Sequence, residues 1–445
     1  MSFVENDVQQ LNFYDSGYGL TEREKKFLSS SWACYFADYI FPSIDEKPYE
    51  VLYSEKASRP NTPVNVIIGA LILKELNGLT DEGLFQSLLF DVRFQTALHT
   101  TSFREQPMSD RTLSRFRARC LAYQMETGID LLHDTICSLG EKIAELTQAD
   151  QTLLRMDSLM VESNIRKLSR LELIYTCAAD AVRRADKNHI LPEHLRHYLD
   201  PCDYHGAFYH RNAKEEEVLK DAQEAEKYLC DIDTEHEILT RVLTEQTIHE
   251  GKEIQLCPKE QLHSKIIQSP YDTEATFRTK GYGAHIGYVA NILESRNEES
   301  SVILDYQYEE NTYSDSQFLK DQIQRIGYQQ EETTLVTDGG YAGKENAAIA
   351  SEKNIRLITT NLTGRRNRAY IEYRETDEFR KYSRFRNGVE TIPSILRRKY
   401  RIDHMPVRGK LSTGFYFGCK IGAINVMKFC RAMQSSAKHT QNPKD

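Results

Sequence analysis

Two aspartates lie in apolar stretches of the sequence, where burial of a carboxylate is energetically costly unless the residue has a functional role. Asp157 is the only acid within the apolar run of residues 153–161, and Asp338 closes a second apolar run that begins at Thr334. Both runs predict buried strands. A buried carboxylate without a partner is unfavourable, so such a residue is usually a metal ligand, half of an ion pair, or protonated.

A third acid, Glu390, lies in a basic segment. Arg386 precedes it by four residues and Arg397 follows it by seven, so all three can share one helical face. Two strand-borne aspartates and a helix-borne glutamate form a set of hard oxygen ligands suited to Mg²⁺. A pair of such ions, with Mn²⁺ as a substitute, supports phosphodiester displacement. Arg386 and Arg397 are expected to orient the phosphate or the glutamate.

Other acids compete with these three. Asp272 is interpreted as a helix cap rather than a ligand, because it precedes TEATF and lies on no apolar strand. Glu345 is expected early in the helix after Asp338, where a carboxylate favours the helix N-terminus for structural reasons. Without metal, three nearby carboxylates repel one another, so we expect a loosely formed site in the metal-free protein.

Longer stretches around these residues resemble the bacterial insertion-sequence transposases of the DDE class, and most of all the family called eleven-eighty-two. The resemblance covers roughly residues 60–429. Its motifs, in order along the chain, are PVNVIIGALILKELNGLTDEGL, MSDRTLSRFR, RMDS, SPYDTEATFRTKGYGAHIGY, TDGGYAGKEN, RNGVETIPSILRRKY, MPVRG and KIGAIN.

The resemblance implies a catalytic triad of Asp157, Asp338 and Glu390. The family pattern around the third acid has a tyrosine, an arginine, the glutamate and a basic residue, and the last three match. Ser383 takes the place of the tyrosine, with Tyr382 beside it.

The predicted elements resemble an RNase H-like α/β fold with a mixed five-stranded sheet and flanking helices. In that fold the first and fourth strands are neighbours, which brings Asp157 and Asp338 together. The predicted organisation is an N-terminal arm (1–50), a helical DNA-binding domain (51–148), the catalytic domain (149–174 and 265–433), a helical insertion (175–264) and a disordered tail (434–445).

The helix capped by Ser109 has two different faces. Leu113 and Phe116 lie on its apolar side, and arginines recur every four residues on the other side, namely Arg111, Arg115 and Arg119. The pattern alone slightly favours an ordinary surface helix over a helix-turn-helix recognition element. The family resemblance favours the DNA-binding interpretation.

Charge is distributed unevenly along the chain. The 445 residues carry a net charge of −9, but residues 356–410 contain 15 Lys and Arg against 6 Asp and Glu, a local charge of +9. This asymmetry is expected when one face meets DNA phosphate. Nine cysteines without a CxxC pair and thirteen histidines without zinc-ligand spacing indicate reduced thiols and no zinc motif. With no signal peptide or membrane-spanning run, we expect a soluble protein of the bacterial cytoplasm, associated with the nucleoid.

The sequence therefore predicts an enzyme that cuts double-stranded DNA at the terminal repeats of a mobile element and joins the ends to target DNA. Two ends must be held at once, so a homodimer on DNA is expected. Two alternatives stay open: an RNase H-like nuclease that cuts but does not join, and an inactive relic or DNA-binding regulator.

Overall fold

The computed structural model describes residues 1–6, 19–56, 59–100, 108–210, 214–250, 253–280, 283–296, 301–362, 368–388 and 391–441. Helices dominate these residues. They are α1 (Glu22–Ser29), α2 (Trp32–Tyr35), α3 (Val64–Asn77), α4 (Asp81–Phe90), α5 (Val92–Ala97), α6 (Asp110–Thr127), α7 (Leu131–Leu146), α8 (Arg170–Ala185), α9 (Asp203–His205), α10 (Glu215–Asp231), α11 (Glu237–Gln246), α12 (Asp315–Ile326), α13 (Lys344–Glu352), α14 (Arg368–Arg374), α15 (Asp377–Asn387), α16 (Thr391–Arg398) and α17 (Lys410–Gln441).

Helix α3 is the centre of the helical front part. Its residues from Val64 to Leu76 are all buried, because the helix is apolar on nearly every side and is packed between neighbours. Gly78 ends it in a left-handed conformation with φ 66°. Helix α17 packs closely on α3 and α7, since a Cβ at Gly422 would lie 2.7 Å from Ile136 Cδ1. The final helix thus closes the core begun by α3.

The residues before position 50 contribute to this same core. Phe36, Ile40 and Phe41 are fully buried in it. The hydroxyl of Tyr49 donates to the carbonyl oxygen of Leu131 at 2.9 Å. The segment predicted as an arm therefore packs against the helices that follow it.

A charged network joins four helices of the front part. We call it the Glu75 network, and its members are Lys74 and Glu75 of α3, Asp81 of α4, Arg117 of α6 and Lys420 of α17. Lys420 contacts Glu75 Oε2 at 2.5 Å and Lys74 contacts Oε1 at 3.5 Å. Arg117 holds Asp81 by two hydrogen bonds of 2.6 and 2.9 Å, and Lys74 approaches Asp81 Oδ1 at 2.9 Å. Every carboxylate oxygen in the network has a cationic partner.

The main sheet has six strands, β1 (Leu153–Glu162), β4 (Thr276–Lys280), β5 (Gly283–Arg296), β6 (Ser301–Glu310), β7 (Thr333–Thr337) and β8 (Ile355–Thr359). The long path through the sheet runs β6, β5, β1, β7, β8, and β4 pairs with the start of β5. Strands β1, β7 and β8 are parallel, and β5 and β6 run antiparallel to their neighbours. The predicted mixed α/β architecture is confirmed.

The prediction of five strands was wrong, because the short β4 is a sixth strand of the sheet. This short strand forms a hairpin with β5, in which polar residues such as Arg278 are tolerated. Asp272, predicted to cap a helix, precedes no helix. It is buried and accepts hydrogen bonds from the hydroxyls of Ser163 and Tyr288.

Helices cover both faces of the sheet. Leu154 and Met156 of β1 pack with α12, whereas Leu159 and Val161 belong to the core shared with α17. Because side chains alternate along a strand, Asp157 shares a face with Leu159 and Val161. Helix α15 contacts both β1 and β7. The first acid therefore points toward the basic C-terminal helices.

Between β1 and β4 the chain forms a separate helical unit with its own core. That core includes Leu173 and Val182 of α8, Leu219 of α10 and Val242 of α11. The unit overlaps the predicted helical insertion, and it also contains a hairpin of β2 (Thr247–Glu250) and β3 (Glu253–Leu256).

The last described helix, α17, continues to Gln441 and so covers most of the tail that was predicted to be disordered. Within the described residues, no helix combines the length and apolar character needed to cross a bilayer.

Candidate active site

Two neighbouring parallel strands carry the predicted acids. Leu153 pairs with Thr334 and Arg155 with Val336, a register that sets Asp157 of β1 level with Asp338 at the end of β7. One guanidinium nitrogen joins them: Arg386 Nη2 lies 3.0 Å from Asp157 Oδ1 and 3.5 Å from Asp338 Oδ2. The structure thus brings together two acids that are far apart in the sequence, together with one predicted arginine.

Arg386 reaches this position from the last turn of α15. Thr376 caps the start of this helix, because its hydroxyl accepts a hydrogen bond from Phe379 N at 3.1 Å. The Arg386 side chain is only 7% exposed. Its positive charge offsets the repulsion between the two carboxylates.

Glu390 lies outside the described residues, so its place relative to the aspartates stays a prediction. Around it, α15 ends at Asn387 and α16 begins at Thr391. The expectation of one continuous helical face was therefore wrong for Arg386 and Arg397, which lie on different helices. Pro393 occupies the first turn of α16, where a missing N–H is tolerated.

Arg397 contacts a different part of β1. Its Nη2 donates to the carbonyl oxygen of Met160 at 2.8 Å, and its Nε donates to Asp403 Oδ2 at 3.2 Å. These contacts lie along the wall of a cleft of about 650 Å³ that also includes His285. The predicted role in orienting phosphate is compatible with the 42% exposure of the Arg397 side chain.

The donor set of the pair fits a divalent cation. Asp157 and Asp338 offer hard carboxylate oxygens, which Mg²⁺ prefers. Asp338 Oδ1 is buried and has no hydrogen-bond partner among the residues that the structure describes. A buried carboxylate oxygen without a partner is costly, and a bound cation would remove that cost.

Sequence reasoning missed Arg155, which positions the C-terminal end of α15. Its Nη1 donates to the carbonyl oxygen of Phe385 at 2.5 Å, and its guanidinium lies 5.2 Å from the centre of the Phe385 ring. A Cβ at Gly388 would lie 2.7 Å from Nη1 of both Arg155 and Arg296. The strand that bears Asp157 thus fixes the helix that bears Arg386. The available signal was a charged residue within an apolar strand, the same signal that identified Asp157.

Arg155 belongs to a buried charged trio with Glu294 and Lys428. Arg155 and Glu294 are cross-strand partners, with Nε 2.6 Å from Oε2, and Lys428 donates to Oε1 at 2.8 Å. Burial raises the pKa of Glu294, but Lys428 and Arg155 outweigh it and hold that pKa below its usual value. The buried carboxylate therefore stays charged and holds Arg155 in place.

The two glycines after Asp338 are required by close approaches within the protein. A Cβ at Gly339 would collide with the carbonyl oxygen of Asn361, and one at Gly340 would lie 2.6 Å from Asp315 Oδ2. Both glycines therefore have protein neighbours on the side where a Cβ would project.

The predicted DNA-reading arginines lie on α6, far from these acids in the chain. Arg111 and Arg115 are exposed, while the Arg119 guanidinium is 5.1 Å from the ring centre of Tyr53. Leu113 and Phe116 are buried on the opposite side, as predicted. Residues 101–107, which precede α6, lie outside the described residues, so the helix-turn-helix stays a prediction.

Two family models match separate parts of the chain. One, described as a transposase domain (DUF772), matches residues 26–119, and the other, described as a transposase DDE domain, matches residues 243–426. Together they indicate an insertion-sequence transposase. The first match covers the helical front part from α1 to α6, and the second includes Asp338 and Arg386. No curated protein and no solved structure matches the chain.

Proposed function

We propose that this transposase cuts DNA at the terminal repeats of an insertion sequence of the eleven-eighty-two type and joins the freed ends to target DNA. The observation that carries the proposal is the shared contact of Arg386 with Asp157 and Asp338. Carboxylates delivered by adjacent parallel strands, with a cation between them, form the acidic centre that phosphodiester displacement needs.

The strand order supports an RNase H-like catalytic core. The first, second and third strands of that core are β1, β5 and β6, which form an antiparallel meander, and β7 and β8 extend the sheet in parallel beyond β1. We assign the core to residues 149–174 and 265–433 and the helical insertion to 175–264. Since residues 22–52 pack with the front helices, we extend the helical DNA-binding domain toward α1.

Asp157, Asp338 and Glu390 are the proposed ligands of two Mg²⁺ ions, which Mn²⁺ can replace. When bound, such a pair activates an attacking oxygen and stabilises the leaving oxygen. Arg386 offsets the negative charge of the aspartates in the metal-free protein and then contacts the DNA phosphate. Arg155 keeps α15 against β1 so that Arg386 stays within reach of both acids.

DNA binding is assigned to two basic surfaces. Arg111, Arg115 and Arg119 of α6 contact the terminal repeat, and Arg397 contacts phosphate near the catalytic pair. Exposed arginines that neutralise phosphates make affinity strongly salt-dependent. We propose a homodimer on DNA, because both ends of the element must be cut and joined together.

The decisive experiment incubates the purified protein with Mg²⁺, a labelled DNA fragment carrying the sequence that flanks its own gene, and a supercoiled plasmid. We expect labelled plasmid to form, because joining transfers the cut end. Asp157→Ala should abolish both cutting and joining while the fragment is still bound. Glu345→Ala is the matched control, because Glu345 is an exposed acid paired with Lys320 at 2.7 Å and should be dispensable.

The products distinguish the alternatives. Cut fragment without labelled plasmid would indicate a nuclease that does not join. Binding without cutting by the wild-type protein would indicate a regulator or relic and would overturn the proposal.

A further inference from the structure

A second group of metal-ligating side chains lies away from the acidic pair. His133 and Cys137 are one turn apart on α7, and Asp305 faces them from β6. His133 Nε2 lies 2.9 Å from Asp305 Oδ1 and 3.5 Å from Cys137 Sγ, and Sγ lies 3.5 Å from Asp305 Oδ1. Nitrogen, sulfur and oxygen donors thus form a compact triangle.

This triangle has nearly the dimensions of a zinc site. Tetrahedral bonds of about 2.3 Å to sulfur and about 2.0–2.1 Å to nitrogen and oxygen place sulfur about 3.5 Å from the other two donors, and nitrogen about 3.3 Å from oxygen. Two of the three observed distances already agree with these values. The third needs to open by only about 0.4 Å.

We propose that His133, Cys137 and Asp305 bind one Zn²⁺ or a similar thiolate-preferring divalent ion. Such an ion would link α7 of the helical front part to β6 of the catalytic sheet. This site would be chemically distinct from the proposed Mg²⁺ centre, whose ligands are carboxylates alone.

Two neighbouring side chains hydrogen-bond to the proposed ligands, as residues around a metal site usually do. His133 Nδ1 lies 3.3 Å from Asp134 Oδ1, so it can donate there and leave Nε2 as the ligand. Gln322 Nε2 donates to Asp305 Oδ2 at 2.8 Å, which orients that carboxylate and leaves Oδ1 toward the other donors. Both contacts restrict the ligands to one geometry.

A metal ion could reach these three ligands through a surface cleft and bind a fourth ligand there. A cleft of about 670 Å³ is lined by His133, Asp134, Tyr306 and Arg325. The carbonyl oxygen of Tyr306 lies 2.9 Å from His133 Nε2, so this oxygen or a water molecule can complete four-coordination.

The cluster already accommodates positive charge. Arg325 Nη1 lies 3.3 Å from Asp305 Oδ1, and its side chain is 34% exposed, so it can turn to solvent when an ion binds.

The test uses the full chain after treatment with a chelator. Titration with Co²⁺ should produce a thiolate-to-cobalt charge-transfer absorption that saturates at one ion per chain, and Zn²⁺ should displace it. Cys137→Ser should abolish this absorption with an unchanged circular dichroism spectrum. Zn²⁺ should raise the melting temperature of the wild-type protein but not of the Cys137→Ser variant.

Two control variants test whether the absorption depends on the proposed ligands. Cys34→Ser removes another half-buried thiol and should retain the full absorption. Asp338→Ala removes an acid of the catalytic pair and should also retain it, so the outcome does not depend on the proposed transposase activity. Absence of the absorption in the wild-type protein, or its persistence in Cys137→Ser, would overturn the proposal and leave the cluster as an ion pair only.

Discussion

The Glu75 network and the Asp157–Arg386–Asp338 group both combine acids with largely buried cations, but only one of them is fully paired. In the network, Glu75 and Asp81 have a cation on each carboxylate oxygen. In the second group, Asp338 Oδ1 is buried and has no hydrogen-bond partner within the described part of the chain. We call the Glu75 network closed because all of its carboxylate oxygens are paired. We call the second group open because Asp338 Oδ1 can accept another ligand.

This difference separates a structural role from a chemical one. A closed network joins α3, α4, α6 and α17 and gains nothing from an added ion. The open group lies on two strands that hold it rigidly, with Arg386 as a cation that can be replaced. Completeness of pairing is therefore a better guide to the site than burial or charge alone.

The largest expected effect is on catalysis by Asp338→Asn. If Asp338 is the proposed metal ligand, its loss removes several kcal/mol of transition-state stabilisation, so cutting should fall by at least about a thousandfold. Affinity for the element end should change little, because the arginines on α6 are untouched. Cleavage rates and a gel-shift titration measure the two quantities. Retention of cutting by this variant would remove Asp338 from the site.

The next effect is on stability, by Glu75→Gln in the closed network. Lys420 then loses its carboxylate partner in a buried position, which should lower the free energy of unfolding by about 3–5 kcal/mol. Cleavage per folded molecule should be unchanged. Urea unfolding and the cleavage assay together make the test, and a stable but inactive Glu75→Gln variant would contradict the contrast between the two regions.

The pairing of Asp157 and Asp338 on neighbouring strands could be expected from the sequence, because each is the only acid of an apolar run. The sequence also located the helix that follows Ser109, whose residues Leu113 and Phe116 are buried as predicted. These features depend on a few adjacent residues and their backbone groups, so a local pattern was sufficient.

The features that were missed depend on distant contacts. Arg155 owes its role to Phe385, 230 positions later in the chain. The His133 and Cys137 pair becomes a ligand set only when β6 supplies Asp305, 172 residues from His133. Local zinc-ligand spacing cannot reveal a ligand set that only the tertiary structure assembles.

A smaller effect is expected when the contacts that hold Arg386 near the two aspartates are weakened. Arg155→Met removes the anchor of α15, while Glu294 keeps Lys428 as a partner, so the buried charge stays compensated. Loss of such outer-shell support typically costs about 10- to 100-fold in metal affinity or activity, and we expect a fall of that size in apparent Mg²⁺ affinity.

Lys420→Met is the matched control for Arg155→Met. It also removes one buried cation from a glutamate that keeps a second one, here Lys74. It should lower stability without changing the Mg²⁺ dependence of cutting. Equal Mg²⁺ dependence in both variants would show that Arg155 acts on stability alone.

The smallest expected effect is the pH dependence contributed by Asp81. The hydrogen bonds from Arg117 exceed the opposing effect of burial and, together with Lys74, hold the pKa of Asp81 well below its usual value. A carboxyl with a depressed folded-state pKa stabilises the protein above its unfolded pKa of about 3.9, and this contribution disappears as the pH falls through the folded value. The melting-temperature difference between wild type and Asp81→Asn should therefore be largest near neutrality and shrink below about pH 4. A constant difference between pH 7 and strongly acidic solution would mean that the charge of Asp81 is not what stabilises this closed network.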